Sequence, residues 1–316
     1  MNETNAGVHG CYTHQLLIHD TDDALVAGTA AFVELGLSCG GRVLVHSCED
    51  RVALLRAALG THRRLDYGFD RDLYVSPMST LFKYERELAR GPHASGLWVT
   101  GTVPFGSDHS AHPAWTRYES LVNEVLGPYP FHALCTYDTR ALPAAVVGAA
   151  RATHPCISNG VRQDDNPGYM QPVDFMTDPR AGSPSPPTSP PLAVITVNHT
   201  RDLRLARHLI AEVADAASVV DRDNIEGFVT AVNEVLANGL RHGRPPVELK
   251  VWVDTAQLTC LVTDNGPGIA NPLTGYRSPG ASVDSSRGLW LARQLCDELI
   301  IRNTDDGRCS VLMTIA

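Results

Sequence analysis

Nowhere in this sequence do eighteen uninterrupted apolar residues occur, the least a membrane-spanning helix needs. The opening residues, MNETNAGVHG, have neither a positive n-region nor an apolar core, so no secretory leader is expected and the chain reads as cytoplasmic. A basic run is missing too: 26 Lys and Arg stand against 35 Asp and Glu, a formal charge of -9. Binding a phosphate backbone requires clustered cations, so direct nucleic-acid binding is not expected. The 8 cysteines, at Cys11, Cys39, Cys48, Cys135, Cys156, Cys260, Cys296 and Cys309, form no CxxC pair and none of the spacings of a zinc module. They are expected to be reduced and mostly buried, as small apolar side chains.

What is present describes an ordinary globular chain. Hydrophobic residues make up 43% and charged residues 19% of 316 residues, a length that suits two domains, each with its own core. Residues 178–191 read DPRAGSPSPPTSPP, where Pro, Ser and Gly displace nearly every core-forming residue. Proline stiffens such a stretch and denies it helix and sheet hydrogen bonds, so it is expected to be an interdomain linker.

Before the linker, short apolar runs alternate with amphipathic stretches. Strands are expected at 16–19, 43–47, 73–76, 97–101 and 133–137, and helices at 22–37, 50–59, 80–90, 115–126 and 143–151. That alternation predicts an α/β domain, a mainly parallel sheet covered on both faces. Any ligand of such a sheet is expected beyond the carboxyl ends of its strands, near Ser47, Ser76 and Gly101.

After the linker the order changes: a strand at 193–197, helices at 203–217 and 223–241, and strands at 247–253 and 258–264. A Gly, Pro and Ser-rich loop, a helix at 287–297 and two last strands complete it. The expectation is an α+β two-layer sandwich, with helices on one face of a mixed sheet.

Chemistry concentrates in this second half. Glu234, Asn238 and His242 recur every fourth residue in NEVLANGLRHG, which stacks a carboxylate, an amide and an imidazole along one helical face. A carboxylate can accept a proton or orient a nucleophile, and an amide oxygen suits a Mg²⁺ bound to phosphates. Residues 262–269, VTDNGPGI, end an apolar strand with Asp264 and two glycines. A carboxylate there can accept a hydrogen bond from an exocyclic amine, while glycine lets backbone approach a flat base. Residues 271–286 hold little that could fill a core and read as a mobile flap. They lead into Arg287-Gly288-Leu289, a glycine opening a helix whose free N–H groups and positive dipole end suit phosphates.

In this order, the helix triplet, the strand with DxGxG, the flap and the glycine at a helix start resemble the ATP site of the histidine-kinase-like ATPase superfamily, across residues 192–316. The resemblance implies ATP and Mg²⁺ as cofactors, Glu234 as catalytic base, Asn238 as Mg²⁺ ligand and Asp264 as the adenine-reading carboxylate. It implies that Gly266 and Gly268, with Asn265 and Ile269 beside them, shape the adenine pocket, that Arg287, Gly288 and Leu289 bring the last helix to the phosphates, and that His242 lines the phosphate side. The chain departs from the pattern in two places. Ser286 stands where the family's GxGL motif begins with glycine, and Gly307-Arg308-Cys309-Ser310 stands where a GT-type pair would support the adenine, leaving Ser310 unassigned.

No room precedes the NExxxN helix for the phosphoacceptor hairpin of a sensor histidine kinase, and His208 reads as a surface or half-buried residue. The compact arrangement looks like bacterial anti-sigma factors that double as serine kinases. That resemblance implies a sigma factor and a STAS-type anti-sigma antagonist as partners, phosphotransfer to a protein serine, and the homodimer common in the class. The alternatives are a sequestering regulator that binds nucleotide without phosphotransfer, and a divergent sensor histidine kinase.

Val8-His9-Gly10-Cys11-Tyr12, the acidic helix after it and FVELGLSCGGRVLV at 32–45 are similar to the MEDS sensory domain, which implies a sensory unit over residues 7–177 and a small-molecule input. His9, Cys11 and His14 could be metal ligands, but three such residues near a terminus fit a structural role better. The sequence GxxxxGK[ST] does not occur, so this half is not expected to bind ATP through a P-loop.

Overall fold

The computed structural model describes residues 12–91, 95–106, 111–159, 162–182, 184–217, 222–254, 257–279, 287–303 and 307–316. The chain divides into two compact units, 1–182 and 183–316.

The first unit alternates strand and helix: β1 Thr13–His19, α1 Asp22–Ser38, β2 Arg42–Ser47, α2 Glu49–Leu59, β3 Leu65–Phe69, α3 Asp70–Leu73, α4 Pro77–Arg90, β4 Leu97–Gly101, α5 His112–Leu126, β5 Phe131–Asp138, α6 Ala144–Thr153, β6 Cys156–Ser158, β7 Gln163–Asp165 and α7 Pro172–Phe175. The strands form a seven-stranded sheet in the order β3-β2-β4-β5-β1-β6-β7. Every pairing is parallel except β6 with β7. Helix α1 starts where Thr21 accepts a hydrogen bond from Ala24 N and acidic Asp22 and Asp23 meet the positive dipole end. It buries Leu25, Phe32 and Val33 against Leu17, Val43, Val45, Trp98 and Leu134 of the sheet.

Two expectations fail here. Residues 73–76 are not a strand: Leu73 ends α3, and Ser76 caps α4 through a capping box with Ser79. The third strand is Leu65–Phe69, whose polar Asp66 and glycine hid an edge strand in the pattern. Ser76 therefore does not lie at a strand's carboxyl end, whereas Ser47 and Gly101 do.

The second unit runs β8 Ala193–Val197, α8 Leu203–Ala217, α9 Arg222–His242, β9 Val247–Val253, β10 Leu258–Asp264, α10 Arg287–Gln294, β11 Glu298–Asn303 and β12 Cys309–Ile315. Its sheet has the order β11-β12-β10-β9-β8, and all its pairings are antiparallel, not mixed. Period-2 alternation sends Val247, Leu249 and Val251, Leu258, Cys260 and Val262, and Cys309, Val311, Met313 and Ile315 to one face. Ala206, Ile210 and Ala214 of α8 and Phe228, Val232, Val235 and Leu236 of α9 pack onto that face, giving the two-layer sandwich.

Described residues of the proline-rich stretch pack against the unit to which they belong. Pro179–Ala181 forms a 3-10 turn of the first unit, where Arg117 Nη1 donates to Ala181 O at 2.8 Å and Gly182 O at 2.7 Å. In the second unit Trp252 Nε1 donates to Ser189 O at 2.8 Å, and Arg302 donates to Pro184 O. Among the described cysteines, none in a disulfide, Cys260, Cys296 and Cys309 are buried, Cys39, Cys135 and Cys156 half-buried and Cys48 exposed. Cys11 and His9 lie outside the described residues. No described helix is long and apolar enough to cross a membrane.

Candidate nucleotide site

A cavity of about 190 Å³ opens between α9, α10 and the ends of β10 and β12. Val235, Ile269, Leu289, Cys309 and Val311 give it apolar walls, and Asp264 is the one carboxylate among its lining residues. Asp264 ends β10, half-buried, and its Oδ1 accepts from Gly266 N at 2.7 Å. Burial pushes its carboxyl above the ordinary aspartate range, against the lowering effect of the hydrogen bonds from the Gly266 and Arg244 backbone.

Two glycines make that approach possible. A Cβ on Gly243 would stand 2.4 Å from Asp264 Oδ1, and one on Gly266 would stand 2.4 Å from Gly243 Cα. The end of α9 and the turn after β10 are thus pressed together around the carboxylate. Gly268 has φ +80°, the left-handed region that glycine tolerates, and Asn303 of β11 clamps the next residue. Asn303 Oδ1 accepts from Ile269 N at 3.1 Å, and its Nδ2 donates to Ile269 O at 3.0 Å.

Helix α10 begins against the polar stripe of α9. A Cβ on Gly288 would lie 2.7 Å from Glu234 Oε2 and 3.5 and 3.7 Å from Asn238 Nδ2 and Oδ1. Glu234, Asn238 and the first turn of α10 therefore meet beside the cavity, with Asn238 in its lining. Asn238 Oδ1 accepts from Arg241 Nη2 at 3.0 Å.

Of the residues singled out in the sequence, Asn238, His242, Asp264, Gly268, Ile269 and Leu289 line the cavity. Glu234, Gly266 and Gly288 are not in the lining but support it through the contacts above. Asn265 is exposed and turned away, with Nδ2 towards Pro246 O at 3.5 Å, and Arg287 is exposed at the start of α10. The lining also includes Val235, Gly239, Gly243, Thr274, Cys309 and Val311. Val235 and Gly239 lie three residues before Asn238 and His242, a helical spacing legible in the sequence.

Cys309 and Ser310 resolve the second departure from the family pattern. Cys309 lines the cavity, paired across β12 with Asp264, whereas Ser310 pairs with Thr263 and faces a separate depression on the other side of the sheet. Strand alternation forbids both from pointing one way, so Ser310 is not the pocket hydroxyl. Burial pushes the Cys309 thiol up to about 11.

The stretch read as a flap is anchored over its described part. Leu273 and Tyr276 are buried, Arg293 stacks 3.6 Å from the Tyr276 ring centroid, and Arg293 Nε donates to Thr274 O at 3.0 Å. Residues 280–286, with Ser286, lie outside the described residues. His208 is exposed, and its Nε2 lies 3.2 Å from Glu212 Oε1 one helical turn on.

A half-buried carboxylate at the edge of an apolar slot suits a heterocycle carrying an exocyclic amine, and the α9–α10 junction suits its phosphates. The residues present therefore fit an adenine nucleotide. Two protein families match the chain: MEDS, the methanogen/methylotroph, DcmR sensory domain, over residues 13–155, and the histidine kinase-like ATPase domain over residues 196–315. No curated protein matches it. Residues 13–155 are thus a MEDS sensory domain and residues 196–315 a histidine kinase-like ATPase domain, the arrangement of a signalling regulator.

Proposed function

We propose that this regulator is an anti-sigma factor and protein serine/threonine kinase, which binds Mg²⁺-ATP in its second unit, phosphorylates a STAS-type anti-sigma antagonist and responds to a small molecule at its first unit. The observation that carries the reading is the meeting of Glu234 and Asn238 with Gly288 at the start of α10, beside the cavity that holds Asp264. A domain that only bound nucleotide has no need of a carboxylate there.

Phosphoryl transfer depends mainly on positioning and charge stabilisation. Bound ATP and Mg²⁺ supply the electrophilic phosphoryl group and the charge that offsets its oxygens. Asp264 would accept from the adenine amine, and the apolar walls would exclude water around the ring. Asn238 would hold the metal through its amide oxygen, which also accepts from Arg241. Glu234 orients the incoming serine hydroxyl and takes its proton.

Calorimetry with Mg²⁺-ATP tests the reading on wild type, Asp264→Asn and Glu234→Ala. Wild type is expected to bind, Asp264→Asn to lose binding, and Glu234→Ala to bind but transfer no γ-phosphate to a serine of the antagonist. A wild type that binds no nucleotide refutes the site, and phosphate found on a histidine of this chain refutes the serine-kinase reading.

A further inference from the structure

Four side chains remote in sequence from the nucleotide motifs converge inside the first unit. His14 on β1, Glu119 on α5, Cys135 on β5 and His154, just after α6, bring one donor atom each within 4.8 Å of one another. The side chains of His14 and His154 are 0% exposed and that of Glu119 is 1% exposed.

Their hydrogen bonds settle where the ring protons sit. Asn123 Nδ2 donates to Thr153 O at 2.7 Å and to the carbonyls of Glu119 and Ser120, each at 3.3 Å. Its Oδ1 is therefore the acceptor, taking the Tyr12 hydroxyl at 2.8 Å and His14 Nδ1 at 3.1 Å, so Nδ1 of His14 carries a hydrogen. His154 Nδ1 faces Ala150 O at 2.8 Å, and a carbonyl only accepts, so that nitrogen also carries a hydrogen. Neutral rings in these tautomers turn the Nε2 lone pairs of both histidines towards Glu119 Oε2, at 3.1 and 3.5 Å. His154 Nε2 is buried with no hydrogen-bond partner. Acceptors facing one another in a dry interior are costly unless a cation sits among them.

The spacing fits one. Ligand bonds of about 2.0–2.3 Å around tetrahedral Zn²⁺ put neighbouring donor atoms roughly 3.3–3.7 Å apart. Here His14 Nε2 to Glu119 Oε2 is 3.1 Å, His14 Nε2 to Cys135 Sγ 3.3 Å, His154 Nε2 to Glu119 Oε2 3.5 Å and Cys135 Sγ to Glu119 Oε2 3.7 Å. The other ring nitrogen of each histidine is held by an amide or carbonyl oxygen, the outer shell that fixes a metal-binding imidazole.

We propose that His14, Glu119, Cys135 and His154 form a Zn²⁺ site that ties β1, β5, α5 and α6 together. Two imidazoles, a thiolate and a carboxylate favour zinc over magnesium or calcium, and the two anions balance its charge. Binding releases the thiol proton of Cys135 to solvent. With four protein ligands the site is closed and its metal structural. A protonated His14 paired with Glu119 explains the 3.1 Å contact but leaves His154 Nε2 unpartnered.

The test uses the full chain, stripped with a chelator and reconstituted with Zn²⁺ or Co²⁺, and reads bound metal by mass spectrometry and the cobalt spectrum. Wild type is expected to hold one metal per chain and show thiolate-to-cobalt charge-transfer absorption. Cys135→Ser is expected to lose that absorption, and Asn123→Ala, which frees His14 Nδ1, to bind Zn²⁺ about 10–100-fold more weakly. A folded wild type that takes up no zinc and shows no thiolate absorption overturns the site, as does absorption that persists undiminished in Cys135→Ser. If Cys135→Ser fails to fold, the wild-type cobalt spectrum alone decides.

Discussion

Gly268→Ala tests whether the turn after β10 is built on glycine and held by Asn303. The backbone there has φ +80°, where an L side chain costs about 1–2 kcal/mol. The added Cβ would also stand 2.1 Å from Asn303 Oδ1, so the Asn303 amide has to swing away and lose both hydrogen bonds to Ile269. Asn303 is exposed and water replaces those bonds in part, so each is worth about 0.5 kcal/mol, the low end of the usual range. The expected destabilisation is about 2–3 kcal/mol by urea denaturation, with weaker ATP binding because Gly268 and Ile269 line the cavity. Asn303→Ala is expected to cost about 1 kcal/mol. In the double variant the clash is gone and the two bonds are lost only once, so its cost falls short of the summed singles by about 1 kcal/mol. Strict additivity, or a Gly268→Ala cost below about 0.5 kcal/mol, refutes the clamp.

Two further measurements bear on the two units. In the first, hydrogen bonds from Arg140, with Arg51 nearby, hold the Asp138 carboxyl at about 2. Its stabilising share is complete above the unfolded value near 4 and is lost as pH falls through about 2. Asp138→Asn is therefore expected to cost roughly 1–2 kcal/mol at neutral pH, allowing for solvent screening, with the difference vanishing towards pH 2 in denaturation series; a gap independent of pH counts against it. In the second unit Phe228 is wholly buried, and Phe228→Ala is expected to lower stability by about 3–5 kcal/mol; a loss under about 1 kcal/mol would remove it from the core.

Local signals carried most of the architecture. Strands β8, β9 and β10 stand where alternation puts them, because one buried face imposes period 2, and α8 and α9 follow the helical period. Edge strand β3 escaped because Asp66 and Gly68 blur its alternation, while the apolar Leu73 and Val75 suggested a strand where α3 and the cap of α4 stand. The all-antiparallel sheet was beyond reach as well, since pairing direction depends on contacts remote in sequence.

The sequence by itself determined the two halves, their fold classes and the motif residues Glu234, Asn238, Asp264 and Gly288, since these repeat at helical spacing or punctuate a strand end and a helix start. Only the tertiary structure decided which of them share a cavity, and that β12 turns Cys309 inward and Ser310 outward, because one residue of register reverses a strand's faces. It alone joined His14 to Glu119, Cys135 and His154, which lie more than a hundred residues further along the chain. Parallel strands joined by helices make neighbours of residues that no local period relates.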